Sequence, residues 1–579
     1  MRRLLFVAMA ALGTSSFALL AQTQPAPQTP ANSPADTIYY HGNILTGVDL
    51  EKAAPQRVSA LAIRQGLIAA TGDDAAILKL KGPKTQLVDL GGSFCMPGIN
   101  DAHTHTGEAG LRKLSVDLTG SRSLAEMKQR IAAAAKSAAP GHWLQGGGWD
   151  HTIWASKQTP TRADLDAVTG EHPAAFTRVD GHILVANTAA LKAAGITRVT
   201  ADPQGGKIDK DTSGQPTGII RDTAMDLIFK ILPPPTHAER QRALELALAD
   251  AAQHGVTSVQ DYSTWDDFLV YEEMERAGHL PTRVSEWLTF NDPVDVLKAH
   301  RAAHAADDRL LRTGMLKGFM DGSLGSRTAA LNAPYADDPG NSGIPRYQQA
   351  QLDKMTKERA AADFQVGFHA IGDRAVGMAL NAFAVAPNRN CAPPAIGTPG
   401  SPCIPRPRIE HSQVVDAQDF DRYKQLGVIA SVQPSQLLTD MAWAEQRLGH
   451  ARARYSYAWK SFLDHGVPLA FGTDYPVEPI TPFRGIYAAI TRMNEAGTQT
   501  YFPEEKLTIQ QALYAYTQGS AYAEFSERYK GKLVPGFVAD FIVLDRDLTR
   551  IPPHDILGTK VLRTVMDGHP VYISGARAY

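Results

Sequence analysis

The stretch Met96-Pro97-Gly98-Ile99-Asn100-Asp101-Ala102-His103-Thr104-His105 decides how the rest of this 579-residue chain is read. It is an apolar run that ends in two imidazoles, two positions apart. Side chains of a β-strand alternate between faces, so His103 and His105 point the same way and can grip one cation together. A lone His-x-His is more often one strand-capping and one solvated histidine. Four stretches downstream argue against that, each with its polar residue at the end of a short β-like run. They are Lys317 in Met315-Leu316-Lys317-Gly318-Phe319, His369 in Val366-Gly367-Phe368-His369, His411 in Arg408-Ile409-Glu410-His411 and Asp474 in Ala470-Phe471-Gly472-Thr473-Asp474.

Eight runs of this texture can be counted: Phe94–Ala102, Val256–Asp261, Val284–Phe290, Met315–Met320, Val366–His369, Arg408–His411, Val428–Val432 and Leu469–Thr473. Helix-like Ala/Leu/Lys-rich stretches separate most of them, which predicts an α/β fold. The interval 106–255 is too long for one crossover and is expected to hold an inserted subdomain. Its Gly146-Gly147-Gly148-Trp149-Asp150 and Arg178-Val179-Asp180-Gly181-His182 segments are expected to overhang the ends of these strands as loops. Residues 37–93 and 530–579 read as short alternating strands with turn signals such as Gln65-Gly66. Neither end has enough strands to close alone, so both are expected to build one small β-sandwich with residues 94–529 inserted between them.

The ordered residues resemble the amidohydrolase superfamily, and within it the amidohydrolase-3 (YtcJ-like) branch; the resemblance spans nearly the whole chain. It implies a (β/α)8 TIM-like barrel with a binuclear metal centre, whose chemistry sits on the C-terminal strand ends. By that resemblance His103, His105 and Asp474 hold the more buried ion, His369 and His411 the more exposed one, and Lys317 bridges them. An ammonium has no lone pair to give, but nearby cations and burial favour the neutral amine, which can add carbon dioxide to become an anionic carbamate bridge. Two ions ~3.5–4 Å apart can share a hydroxide and polarise a scissile carbonyl. Asp474 would take the proton from the attacking water and pass it to the leaving nitrogen; a helix N-cap is the plainer role for it. Imidazole-rich sites with carboxylate-like oxygens suit zinc, and also manganese, iron, cobalt or nickel.

The expected activity is hydrolysis of a non-peptide C–N bond in a small amide, whether N-acyl, N-formyl or cyclic. A lactone, ester or phosphoester hydrolase on the same centre is the alternative, and a periplasmic binding protein on a decayed barrel is the non-enzymatic one. His182, in an Asp-Gly-His loop that the family places near its site, is a candidate for holding the oxyanion. Asp321 and Arg327 resemble a family loop over the site, where Arg327 could hold a substrate carboxylate. An Asp321–Arg327 ion pair that only shapes the loop is the plainer reading. Trp149, Tyr335 and Trp443 are candidates for an apolar pocket wall, although aromatic side chains are more often core.

A formal net charge of −2 offers no footprint for nucleic acid or an anionic membrane, so the expected partner is a small-molecule substrate; a homo-oligomer stays open. Met1-Arg2-Arg3, an apolar run from Leu4 to Leu20 broken by Gly13-Thr14-Ser15-Ser16, and Ala21 read as a signal peptide over 1–21. The interrupted run is weaker than the ~20 apolar residues of a membrane span. Export to the periplasm or beyond is therefore expected, with no membrane attachment after cleavage and a disordered linker at 22–36. In an oxidising compartment Cys391 and Cys403 could bridge the Pro-rich loop between them, whereas Cys95 reads as a small core hydrophobe.

Overall fold

The computed structural model describes residues 33–178, 183–203, 206–304, 308–386 and 406–575. The leader, His182, Cys391 and Cys403 lie outside the described residues. Eight parallel strands form the central sheet: β1 (Ile99–Thr104), β2 (Val256–Asp261), β3 (Arg283–Thr289), β4 (Leu311–Phe319), β5 (Val366–Ala370), β6 (Arg408–His411), β7 (Ile429–Val432) and β8 (Leu469–Phe471). They neighbour one another in chain order from β1 to β8. A parallel bridge between Thr104 and Tyr475 brings the last strand back to the first. Two backbone bonds seal this seam, Asp474 N–H to His103 O at 2.8 Å and His105 N–H to Tyr475 O at 2.7 Å. The seam therefore joins the two places where the expected ligands are densest.

The run expected as one barrel strand from Phe94 to Ala102 is in fact two strands. Phe94–Pro97 pairs with Asn43–Leu45 on one side and Phe541–Leu544 on the other, so it belongs to the sandwich, and the barrel begins at Ile99. Gly98 lies between them, and a Cβ there would come within 2.2 Å of Thr257 Oγ1 on β2. A residue without a side chain lets the chain pass this close. The Pro97-Gly98 pair is the signal in this run that marks the change of sheet.

The sandwich itself is as expected. A six-stranded sheet takes Arg57–Val58, Asn43–Leu45 and Phe94–Pro97 from the N-terminal part and Phe541–Leu544, Val561–Met566 and His569–Ile573 from the C-terminal part. A four-stranded sheet comes from residues 37–89 alone. Tyr39, Ile44, Leu61, Cys95, Phe541 and Val565 form a buried cluster, with Tyr39 edge-on to Phe541 at 4.9 Å. Burial pushes the Cys95 thiol far up, which suits the packing role expected of it. The packed chain starts ahead of the boundary expected at 37: Ala35 is buried and its N–H bonds Leu80 O at 2.9 Å.

Between β1 and β2 the insertion forms a six-stranded mixed sheet running from Val116–Asp117 to Gly206–Lys210. It is narrower than 106–255. Thr106–Leu114 and His237–Gln253 are helices packed on each other, so tightly that a Cβ on Gly110 would sit 2.1 Å from Ala243 O. They are the barrel-side stem from which the insertion projects. The Gly146–Trp149 segment is also not a loop, because Leu144–Trp149 pairs with both Ala174–Arg178 and Val116–Asp117. Among the described residues no helix is long and apolar enough to cross a membrane.

Candidate metal centre

His103 and His105 leave the end of β1 held from both sides. Behind them, the buried Asp101 accepts the N–H of His103 at 3.1 Å and, from the end of β8, the N–H and hydroxyl of Thr473 at 2.9 and 2.6 Å. In front, the buried Asp261 at the end of β2 accepts the Thr106 N–H at 2.6 Å and the Thr104 hydroxyl at 2.9 Å. The two carboxylates clamp the backbone that carries the imidazoles.

Each imidazole then has one nitrogen occupied and the other free for the centre. His105 Nδ1 lies 3.2 Å from Tyr262 O, leaving Nε2 3.1 Å from Asp474 Oδ1. His103 Nδ1 lies 2.9 Å from Glu410 Oε2, leaving Nε2 3.5 Å from Asp474 Oδ1 and 2.9 Å from Lys317 Nζ. His369 Nε2 lies 3.1 Å from Gly322 O, so Nδ1 is its free nitrogen. Tyr262 O, Glu410 Oε2 and Gly322 O are acceptors, and the Gln433 amide nitrogen also lies 3.2 Å from His103 Nδ1; with a proton on each outer nitrogen, the inner nitrogen of each ring is free to ligate.

His411 arrives differently. On a regular strand it would face away from Glu410, its neighbour inside the barrel. A left-handed backbone at His411 (φ 71°) brings its ring 4.5 Å from that of His369 and 5.1 Å from that of His103. Asp474 is also left-handed (φ 62°). Such conformations in non-glycine residues cost ~1–3 kcal/mol each and gather where a site requires them.

The electrostatics suit a cation. Burial and Lys317 push the His103 imidazole down to about 4, and burial with His369 pushes His411 well below the usual histidine range. Burial works to raise the Asp474 carboxyl, yet the imidazoles of His103, His105 and His411 hold it far below the carboxylate range. Neutral imidazoles and an ionised carboxylate are the forms in which these groups ligate. Lys317 is 1 % exposed, framed by the rings of Phe319, Trp287 and Tyr262 at 5.0, 5.2 and 5.7 Å, and burial lowers its ammonium to about 8. It is not a surface lysine. Donor atoms of His103, His105 and Asp474 all lie within 4.8 Å of one another. The converging lone pairs fit a divalent cation.

The residues expected to touch substrate are engaged by other partners. Trp149 is fully buried in the core of the insertion, its indole N–H donating to Phe176 O at 2.8 Å. Asp321 is buried with its carboxylate filled by the N–H groups of Ala330, Ile371 and Gly372 at 2.9, 3.1 and 2.8 Å. It shapes the loop that backs His369, whose Nε2 is 3.4 Å away. Arg327 pairs through two nitrogens with Asp337, at 3.1 and 2.9 Å, and not with Asp321. Tyr335 is buried and bonded to Ala329 O at 2.8 Å. In each case local backbone groups or a distant carboxylate compete successfully for the side chain, which sequence spacing does not reveal.

Two further residues complete the centre. Glu410 stands behind His103, and the Gln436 amide donates to the outer oxygen of Asp474 at 2.9 Å. Alternation along Arg408-Ile409-Glu410 is the signal that finds Glu410, because it puts Arg408 and Glu410 together inside the barrel. Burial works to raise the Glu410 carboxyl, but Arg408 and His103 hold it at about 2. No signal in the sequence marks Gln436. A cleft of about 480 Å3 opens at His105 between Tyr262, Trp265, Trp287 and Thr289. A larger one of about 1070 Å3 runs between Gly146, Gly147, Gly148 and Arg178 of the insertion and Tyr475 and Pro476 beyond Asp474. The glycine segment thus borders the barrel mouth as expected, as an inner strand of the insertion sheet.

Comparison with known proteins agrees with this construction. The model of the amidohydrolase family matches residues 86–572. YtcJ of Bacillus subtilis (strain 168) is 32 % identical over 89 % of this chain and 96 % of its own. The N-substituted formamide deformylase of Arthrobacter pascens is 25 % identical over 92 % of this chain and 97 % of its own. The crystal structure of an uncharacterized metal-dependent hydrolase from Pyrococcus horikoshii superposes with a TM-score of 0.73 at 30 % identity, covering 89 % of this chain and 99 % of that one. Matches that run through barrel and sandwich alike, over a chain whose barrel-end histidines and aspartate converge on one point, make this protein a metal-dependent hydrolase of the amidohydrolase family.

Proposed function

We propose that the protein hydrolyses a non-peptide C–N bond in a small amide, N-acyl, N-formyl or cyclic, outside the cytoplasm. The observation that carries the reading is the convergence of ordered imidazole lone pairs on the ionised Asp474 at the mouth of a closed barrel. The likeness to a formamide deformylase along nearly the whole chain supports the C–N bond as the target. A cleft of about 480 Å3 beside His105 is the size of a small-molecule site.

His103, His105 and Asp474 would hold one divalent ion and His369 and His411 a second, zinc by donor type, with Lys317 between them as a carbamate. Bound there, the ions supply a water activated at neutral pH and a pull on the scissile carbonyl. Asp474 then does the proton work. Its inner oxygen accepts a proton as water oxygen joins the carbonyl carbon, and returns it to the nitrogen as the C–N bond breaks, so that an amine leaves. Gln436 holds the outer oxygen and so keeps the inner one aimed at the histidines. Water enters once per cycle, and a carboxylic acid and an amine leave. His182 remains the candidate for holding the oxyanion.

The test is a substrate panel on protein reconstituted with zinc and bicarbonate: N-formyl amines, N-acyl amino acids, cyclic amides, lactones and phosphoesters. Release of free amine from one of the amide groups is expected. Turnover confined to lactones or phosphoesters would replace this reading with the oxygen-ester alternative.

A further inference from the structure

We propose that the cleft beside His105 selects substrates carrying a positively charged nitrogen, read by Glu286 within the cleft and by Asp292 and Glu108 at its rim. The inference rests on reading this cleft as the substrate site of an amide hydrolase, and names the class of amide that it takes.

The cleft of about 480 Å3 adjoins the candidate metal centre. Two of the side chains lining it also face the proposed ligands, the Tyr262 ring at 5.8 Å from that of His105 and the Trp287 ring at 5.0 Å from that of His103. A molecule bound there therefore has one end beside the reacting atoms. Trp287 turns into the barrel, so Glu286, the preceding residue of β3, turns toward the surrounding helices, where Asp267 also stands. The cleft thus reaches from the strand ends to the back of β3.

Its charges do not balance. Glu108, Asp267, Glu286 and Asp292 line it against the single guanidinium of Arg240. That guanidinium is already taken, at 2.9 Å by Asp267 and 3.3 Å by Asp266. His300 stacks on Trp265 with ring centroids 3.7 Å apart, and burial lowers its imidazole, so it supplies no cation at neutral pH. The carboxylates of Glu108 and Asp292 have no hydrogen-bond or ion-pair partner among the described residues. Glu286 is 1 % exposed, and its Oε2 is without any hydrogen-bond partner. Burial, with Asp261 and Asp267 close by, pushes its carboxyl well above the usual range. A buried carboxyl left unpaired is costly, and an ammonium or guanidinium both satisfies it and balances the acids around it. A substrate carboxylate in the same place would meet like charges on every side.

The experiment separates binding from hydrolysis. Titration calorimetry on the full-length protein, stripped of metal, compares pentylamine, which is charged at pH 7, with pentan-1-ol. The amine is expected to bind ~10–100-fold more tightly. That advantage should vanish in Glu286→Gln and shrink in the double variant Glu108→Gln/Asp292→Asn, whose changes lie at the rim and spare the packed core. On zinc-loaded protein, kcat/KM should favour N-formyl-1,5-diaminopentane over N-formylpentylamine by a similar factor. Equal binding of amine and alcohol overturns the proposal, whatever the protein hydrolyses. So does amine binding that falls in Asp474→Asn and not in the cleft variants, because the amine then sits among the proposed metal ligands. Amine binding in the cleft without turnover of any amide is a different result, and removes the proposed reaction rather than the selection of charge.

Discussion

The Nζ of Lys317 lies 2.9 Å from Nε2 of His103, and neither side chain has meaningful contact with solvent. A buried amine against a ligand nitrogen, with its ammonium lowered by burial, is poised to lose its proton. Lys317→Ala is therefore expected to lower metal content, because the group that would join the two ions is gone. Short carboxylic acids added to the variant should restore part of the activity by supplying two oxygens in its place. Metal analysis and turnover with and without such acids check this.

Asp474→Asn should fail in another way. It keeps the size and one ligand oxygen but cannot take a proton, so metals should largely remain while turnover falls by ~10²–10⁴-fold. Full turnover with both metals bound would move the proton work to another base, with His182 the first to examine.

Trp149→Phe should leave KM and kcat nearly unchanged while lowering stability by ~1–3 kcal/mol, because the buried hydrogen bond to Phe176 O is lost. Thermal melts and steady-state kinetics together check it. A large rise in KM with unchanged stability would return Trp149 to the substrate.

The barrel's first helix pair carries a pH dependence. Asp250 receives Lys113 at 2.7 Å, the Tyr475 hydroxyl at 2.8 Å and the His254 ring at 3.2 Å. Burial opposes both charges, yet the Asp250 carboxyl is held far down and the His254 imidazole is raised. A raised histidine contributes stability that is full below its unfolded value of about 6.5 and lost as pH rises through the higher folded value. The lowered carboxyl contributes above its unfolded value of about 3.9 and loses it as pH falls. Asp250→Asn should thus cost ~2–3 kcal/mol near pH 6, and the cost should shrink as pH rises through the folded His254 value. Melts across the neutral to alkaline range check the sign; a loss that stays equal or grows as pH rises would contradict it.

Much of this was legible in the chain because barrel strands are punctuated by the residues they deliver. His103, His105, Lys317, His369, His411 and Asp474 each lie at or near the C-terminal end of a strand, and period-two alternation or strand termination exposes them. What stayed hidden depends on three-dimensional competition. Asp321 looks like a site residue until three backbone N–H groups fill its carboxylate, and Arg327 looks free until Asp337 takes it. Gly98 shows the same limit for the fold, since Pro97-Gly98 marks a break but only the strand pairing shows that the two halves serve two sheets. Gln436 acts through a single hydrogen bond across loops and leaves no pattern in the sequence.

These side chains are expected to hold two divalent ions which the reaction requires. Elemental analysis of the full-length protein, purified with bicarbonate present and paired with activity before and after chelation, decides it. Close to two zinc or similar ions per chain are expected, with activity abolished by the chelator and restored by metal. Protein that binds no metal after reconstitution and keeps its activity in chelator would rule out the binuclear centre.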